Sequence, residues 1–184
     1  MEASVVYESM FGNTRQIAEA IADGIRDADP SARVTVARAG TAKPDEAAAA
    51  GLLVVGGPTH MLRMSSPRSR QQGLQAARKA AGQPHPALEP GAAGPGMREW
   101  LLALPPARPG CRAAAFDTRL PSRLAGGAAR SAARELRKHG YQLAAAAEGF
   151  VVSGSEGPLR DGELDRARKW GAGLAQQASA PADR

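Results

Sequence analysis

The sequence predicts an α/β protein built on an open, five-stranded, parallel, doubly wound sheet with helices on both faces. Three observations lead there. Short apolar strands alternate with amphipathic helical stretches along the chain. The third strand, Leu52–Val55, is continuously apolar, as expected of a strand covered on both faces. The first strand, around Val5-Val6-Tyr7, runs through a polar, glycine-containing turn directly into a helix. At 184 residues the chain is long enough for one such domain, expected over residues 1–176, and too short for two comfortable ones.

Each element has its own signal. Ile17, Ile21 and Ile25, with Ala18 and Ala28 beside them, form the apolar stripe of a first helix beginning near Asn13 or Thr14, while Arg15, Gln16, Glu19, Asp23 and Arg26 fill its other face. Residues 33–37 read as a second strand, and Pro44-Asp45-Glu46 opens a short Ala-rich helix with proline in its first turn. Ser65 or Ser66 caps a helix from Pro67 to about Ala80. Residues 82–110 are rich in Pro and Gly, an insertion or long loop interrupted by a short helix at Met97–Leu102 that Trp100 docks. A fourth strand is expected at Cys111–Phe116, a helix from Gly127 to His139 stopped by Gly140, and a fifth strand at Leu143–Val152. Asp161 is expected to cap a last helix with Leu164, Ala167, Trp170 and Leu174 as its stripe, ahead of a frayed tail over 177–184.

In this architecture ligands sit beyond the carboxyl ends of the strands. The loop after the first strand is Glu8-Ser9-Met10-Phe11-Gly12-Asn13-Thr14, and it has a phosphate-cradle layout. Gly12 permits close backbone approach, Ser9, Asn13 and Thr14 add polar side chains, and the helix start offers unpaired N–H groups at a positive dipole end. It has neither the lysine of a Walker loop nor the three spaced glycines of a dinucleotide fingerprint. Ser, Asn and Thr before a helix are also the ordinary capping solution, so from this segment alone a cap and an anion site both stand. After the third strand comes Gly56-Gly57-Pro58-Thr59-His60-Met61-Leu62-Arg63-Met64, and after the fourth Asp117-Thr118-Arg119-Leu120-Pro121-Ser122-Arg123. The convergence of three polar, Gly/Pro-punctuated loops at one end of the sheet favours the ligand site.

These loops resemble those of the flavodoxin-like family. Tyr7 to Thr14 is similar to the family's FMN phosphate loop and Gly56-Gly57-Pro58-Thr59 to its flavin-side loop, with matching element order over residues 3 to 176. The resemblance implies FMN bound non-covalently, its phosphate on Ser9, Met10, Phe11, Gly12, Asn13 and Thr14. It also implies Pro58, Thr59, His60 and Met61 on one side of the isoalloxazine and Asp117, Thr118 and Arg119 on the other. Function is then redox: a carrier of electrons to a partner protein, or an FMN-dependent reductase. The alternative is a module of the same fold with weak or lost FMN binding, serving a partner-binding or regulatory role.

The chain departs from that pattern in two ways. Neither flavin loop contains Phe, Tyr or Trp, which leaves stacking to His60, Met61, Met64 or Arg119, or to remote Trp100. The net charge is +6, against the acidic balance typical of flavodoxins, and no carboxylate lies between Glu46 and Glu89 while Arg63, Arg68, Arg70, Arg78 and Lys79 do. This basic face favours an acidic redox partner and a higher potential for the second electron. Basic residues without interleaved aromatics do not make a nucleic-acid platform. One cysteine, Cys111, excludes an internal disulfide framework and reads as core. With no apolar run long enough for a membrane span and no signal-peptide pattern, a cytoplasmic location is expected.

Overall fold

A computed structural model of the chain describes residues 1–60, 63–79, 86–121 and 127–179. Met61, Ala80, His85, Ser122, Arg123 and the tail from 180 lie outside the described residues. The elements run β1 (Glu2–Tyr7), α1 (Asn13–Ala28), β2 (Arg33–Arg38), α2 (Pro44–Ala48), β3 (Leu52–His60), β4 (Arg63–Met64), α3 (Pro67–Lys79) and α4 (Met97–Leu102). They continue with β5 (Arg112–Arg119), α5 (Ala128–Lys138), β6 (Gln142–Leu143), β7 (Glu148–Val151) and α6 (Glu163–Ser179).

The sheet has the strand order β2-β1-β3-β5-β6, with β7 also pairing β5. All of these pairings are parallel. The chain leaves β1 to one side for β2 and returns to the other for β3, so the switch point lies between β1 and β3. The expected doubly wound sheet is present, with three local differences. The fifth strand is two pieces, β6 and β7, each on β5, rather than one run over Leu143–Val152. The third strand continues through Gly56-Gly57-Pro58 to His60, and β4 folds back antiparallel on its end. Asp117, Thr118 and Arg119 belong to β5 and not to a loop, because they pair with Gly57, Pro58 and β7.

Two apolar layers hold the sheet. On one face Ile17, Ile21 and Ile25 of α1 are fully buried against Val5, Val54 and Phe116, with Ala167, Leu174 and Ala175 of α6 alongside. Burying each isoleucine contributes roughly 1.5–3 kcal/mol. Phe116, Phe150 and Trp170 close this layer edge to face, at centroid separations of 6.2–6.5 Å. Ala47 and Ala48 of α2, Met97, Trp100 and Leu101 of α4, and Ala128, Ala132 and Leu136 of α5 pack on the opposite face. Cys111 and Met64 are buried in that same layer, and Trp100 donates from Nε1 to the Ala42 carbonyl at 2.9 Å. α3 belongs to neither layer.

At the C-terminal end the expectations shift by a few residues. Leu164 is 43% exposed and leaves the stripe of α6. Asp161 does not cap that helix: the turn is made at Gly162 (φ 81), whose carbonyl accepts from the Arg166 N–H at 3.0 Å. α6 continues to Ser179, beyond the point where fraying was expected. No helix among the described residues is long and apolar enough to cross a membrane.

Candidate functional site

Beyond the carboxyl ends of β1, β3 and β5 lies a cavity of about 370 Å³, within the range of small-molecule and cofactor pockets. Ser9, Met10, Phe11, Asn13 and Thr14 line it from the first loop; Pro58, Thr59 and His60 from the end of β3; and Thr118, Arg119 and Leu120 from the end of β5. α3 supplies a wall through Ser69, Gln72, Gly73 and Ala76, and the segment after β7 supplies Val152, Ser155 and Glu156. Sequence reasoning missed these last two walls. The Ser/Gly-rich stretch 153–157 was the available signal, since it too leaves a carboxyl end of the sheet.

The polar residues ahead of α1 do not cap it. Gly12 occupies the cap position in the left-handed region (φ 90), and no side chain bonds the helix end. Ser9 Oγ instead accepts the Gly12 N–H at 3.1 Å, and Asn13 donates from Nδ2 to the Glu156 carbonyl at 2.9 Å. Thr14 Oγ1 pairs with Thr118 Oγ1 at 2.7 Å, joining the first loop to β5. Gln16 is the first residue whose N–H reaches an intrahelical acceptor, the Gly12 carbonyl at 3.0 Å. Among the described residues no acceptor meets the N–H groups of Asn13, Thr14 or Arg15. Three unspent donors at the positive end of a sixteen-residue helix, beside a cavity, suit an anion.

The loop is braced from behind by the Pro/Gly-rich segment. Glu89 accepts from Arg15 Nε at 2.5 Å and from Arg38 Nη2 at 2.6 Å, while its own N–H donates to the Met10 carbonyl at 2.9 Å. Arg38 also donates from Nη1 and Nη2 to the Ser9 carbonyl, at 2.9 and 3.0 Å. Burial alone would raise the Glu89 pKa, but hydrogen bonds from Arg15 and Arg38 outweigh it and hold the carboxyl below its ordinary value.

His60 is half-buried, with Nδ1 3.1 Å from Ser69 Oγ on α3. Burial lowers its pKa, with Glu8 opposing and Arg70 reinforcing the shift, which favours the neutral ring. It is a wall of the cavity and not a solvated loop histidine. Asp117, expected beside the ligand, is fully buried and absent from the cavity lining. It accepts through Oδ2 from the Ala129 N–H (3.0 Å) and the Thr59 hydroxyl (2.9 Å), and Thr59 Oγ1 in turn accepts the Ala128 N–H at 2.8 Å. Asp117 and Thr59 together therefore terminate α5. Gly127 must be glycine for this, because a Cβ there would stand 2.5 Å from Asp117 Oδ2.

The remaining expectations sort by position. Phe11 is the aromatic ring that lines the cavity besides His60, whereas Trp100 and Met64 are buried across the sheet and do not approach it. Of the two glycines in Gly56-Gly57, Gly56 has no room for a Cβ, since the Phe116 ring lies there, whereas a Cβ on Gly57 would have ordinary van der Waals room. Arg63 and Arg68 are exposed and do not line the cavity; Arg119 does. Arg70 turns inward, donating to Ser65 Oγ at 3.0 Å and pairing with Glu99 at 3.1 Å.

The flavodoxin family model matches residues 5–79, the part carrying the first loop, the end of β3 and α3. The chain has a flavodoxin-like fold. An archaeal flavodoxin superposes on it with a TM-score of 0.65 at 23% identity, covering 98% of this chain and 100% of its own. Flavodoxin 2 from Bacillus cereus gives 0.64 at 17% identity, covering 96% and 99%. A flavodoxin, WrbA-like protein from Agrobacterium tumefaciens gives 0.57 at 20% identity, covering 96% of each. No curated protein matches the sequence significantly.

Proposed function

We propose that this flavodoxin-like protein binds FMN and passes electrons, as a carrier or as an FMN-dependent reductase. The observation that carries the reading is the start of α1: its three free N–H groups face an anion site that no side chain caps, at the cavity beyond the carboxyl ends of the strands. Ser9 to Thr14 would hold the terminal phosphate. Pro58, Thr59, His60, Phe11, Thr118 and Arg119 would enclose the ring, with His60 and Phe11 in place of the tyrosine or tryptophan that these loops lack. Bound FMN supplies the electron chemistry; the protein supplies placement, exclusion of water and a field. No side chain is required as a general base. Met61 belongs to the same reading by its place in the sequence. The excess of basic over acidic residues favours an acidic redox partner, and a cytoplasmic location accords with the single unpaired cysteine.

The test is the visible spectrum of the purified protein followed by flavin titration of the apoprotein. Absorption of bound oxidised flavin and a clear preference for FMN over riboflavin are expected, the preference being on the order of a hundredfold if the phosphate gains charged hydrogen bonds. Equal affinity for the two flavins would dismiss the phosphate site.

A further inference from the structure

We propose that Glu89 is a positioning residue for the anion loop, a brace that keeps residues 9–12 in the shape that receives a phosphate. This rests on the FMN reading above. A carboxylate next to a phosphate site is repulsive by itself, yet here it is nearly buried at 11% exposure of its side chain and held from several directions. Arg15 comes from the first turn of α1, Arg38 from the end of β2, and the backbone of residue 89 itself reaches the Met10 carbonyl. Arg38 passes the restraint on, because the guanidinium that pairs with Glu89 also fixes the Ser9 carbonyl. The loop these contacts hold is the one that turns at Gly12 and presents the free N–H groups of residues 13–15.

Charge and geometry make opposite demands on this network. If only charge mattered, removing the Glu89 carboxylate would strengthen phosphate binding and removing the Arg38 cation would weaken it. If the network acts as a brace, either loss releases Ser9 and the loop, so both substitutions weaken phosphate binding. The second loss then adds little to the first. Riboflavin, which has no phosphate, feels the brace only through Phe11 and so loses less than FMN does.

Apoproteins of the wild type, Glu89→Gln, Arg38→Gln and the double variant are titrated with FMN and with riboflavin by quenching of flavin fluorescence, at low and moderate salt, with a thermal melt of each. Both single variants are expected to lose about tenfold in FMN affinity, the size of one charged hydrogen bond. Riboflavin affinity should stay within about twofold and the double variant close to the singles. Tighter FMN binding by Glu89→Gln, equal losses for both flavins, or additive losses would overturn the brace. A wild type that does not distinguish FMN from riboflavin removes the phosphate reading and the brace with it. A discriminating wild type with an unchanged Glu89→Gln removes the brace alone. Should Glu89→Gln fail to fold, Arg38→Gln decides: an FMN-specific loss that persists at moderate salt supports the brace, and a loss that salt abolishes overturns it.

Discussion

A carboxylate fully buried at the end of β5 is costly to ionise, and Asp117 meets that cost by serving the positive end of α5. Its Oδ1 has no hydrogen-bond partner among the described residues, with Arg119 Nε 3.6 Å away as the nearest counter-charge. Burial raises its pKa, only partly offset by the Ala129 and Ala128 N–H groups, Arg119 and Thr59. A raised pKa means the folded state holds the proton more tightly than the unfolded chain. The contribution to stability is complete below the unfolded value and is lost as pH climbs through the folded one. Asp117→Asn keeps an oxygen for the Ala129 N–H and carries no charge to bury. It should melt at a higher temperature than the wild type at pH 7, with the difference closing as pH falls toward about 4. A wild type that melts higher at pH 7 would mean that α5 requires the full negative charge at its end.

Between elements, the decisive contact is that of α1 with α6, where each helix carries a glycine against the other's backbone. A Cβ on Gly24 would stand closer than 3.0 Å to the Arg168 carbonyl, and one on Gly171 would do the same at the Ile21 carbonyl. Backbone cannot yield as a flexible side chain can, so either alanine substitution must separate the helices. A destabilisation of about 1–3 kcal/mol is expected for each, read as a lower urea midpoint. Gly173, with nothing within 4 Å of its Cβ position, is the control. Alanine there should stabilise by up to about 1 kcal/mol. Comparable losses at all three sites would refute the close approach. This contact was invisible in the sequence, where Gly24 and Gly171 stand 147 positions apart. What was legible was what repeats locally: the isoleucine stripe of α1, the apolar run of β3, and Pro44 at the head of α2. The outlines of three cavity walls followed from the parallel topology. The extension of β3 and β5 into their loops was not legible, because pairing between Pro58 and Thr118 overrides the turn propensity of Gly56-Gly57-Pro58. Nor was the Glu89 network, since its partners lie 74 and 51 residues away along the chain.

Across the whole molecule, the 24 basic and 18 acidic residues give a net charge of +6 that is not spread evenly in its effects. Arg70 is spent internally on Glu99, so the basic face inferred from residues 63–79 is smaller than the sequence suggests, and Arg38 outside it is likewise spent on Glu89. Exposed Arg63 and Arg68 lie off the cavity, whereas Arg119 lines it, with its guanidinium packed over Gly149. Position therefore divides their roles. A cation at the cavity wall acts on charge gained inside it through a short path that water screens incompletely, while exposed arginines act mainly on approaching partners. If FMN binds as proposed, Arg119→Gln should lower its reduction potential by about 30 mV, roughly a threefold change in a one-electron equilibrium. Arg63→Glu and Arg68→Glu should leave that potential unchanged while slowing electron exchange with an acidic partner, and the slowing should fade with added salt. Spectroelectrochemical titration of the variants, beside stopped-flow exchange at low and moderate salt, separates the two effects. A potential that moves equally in all the variants would mean that net charge, and not placement at the cavity, sets the field.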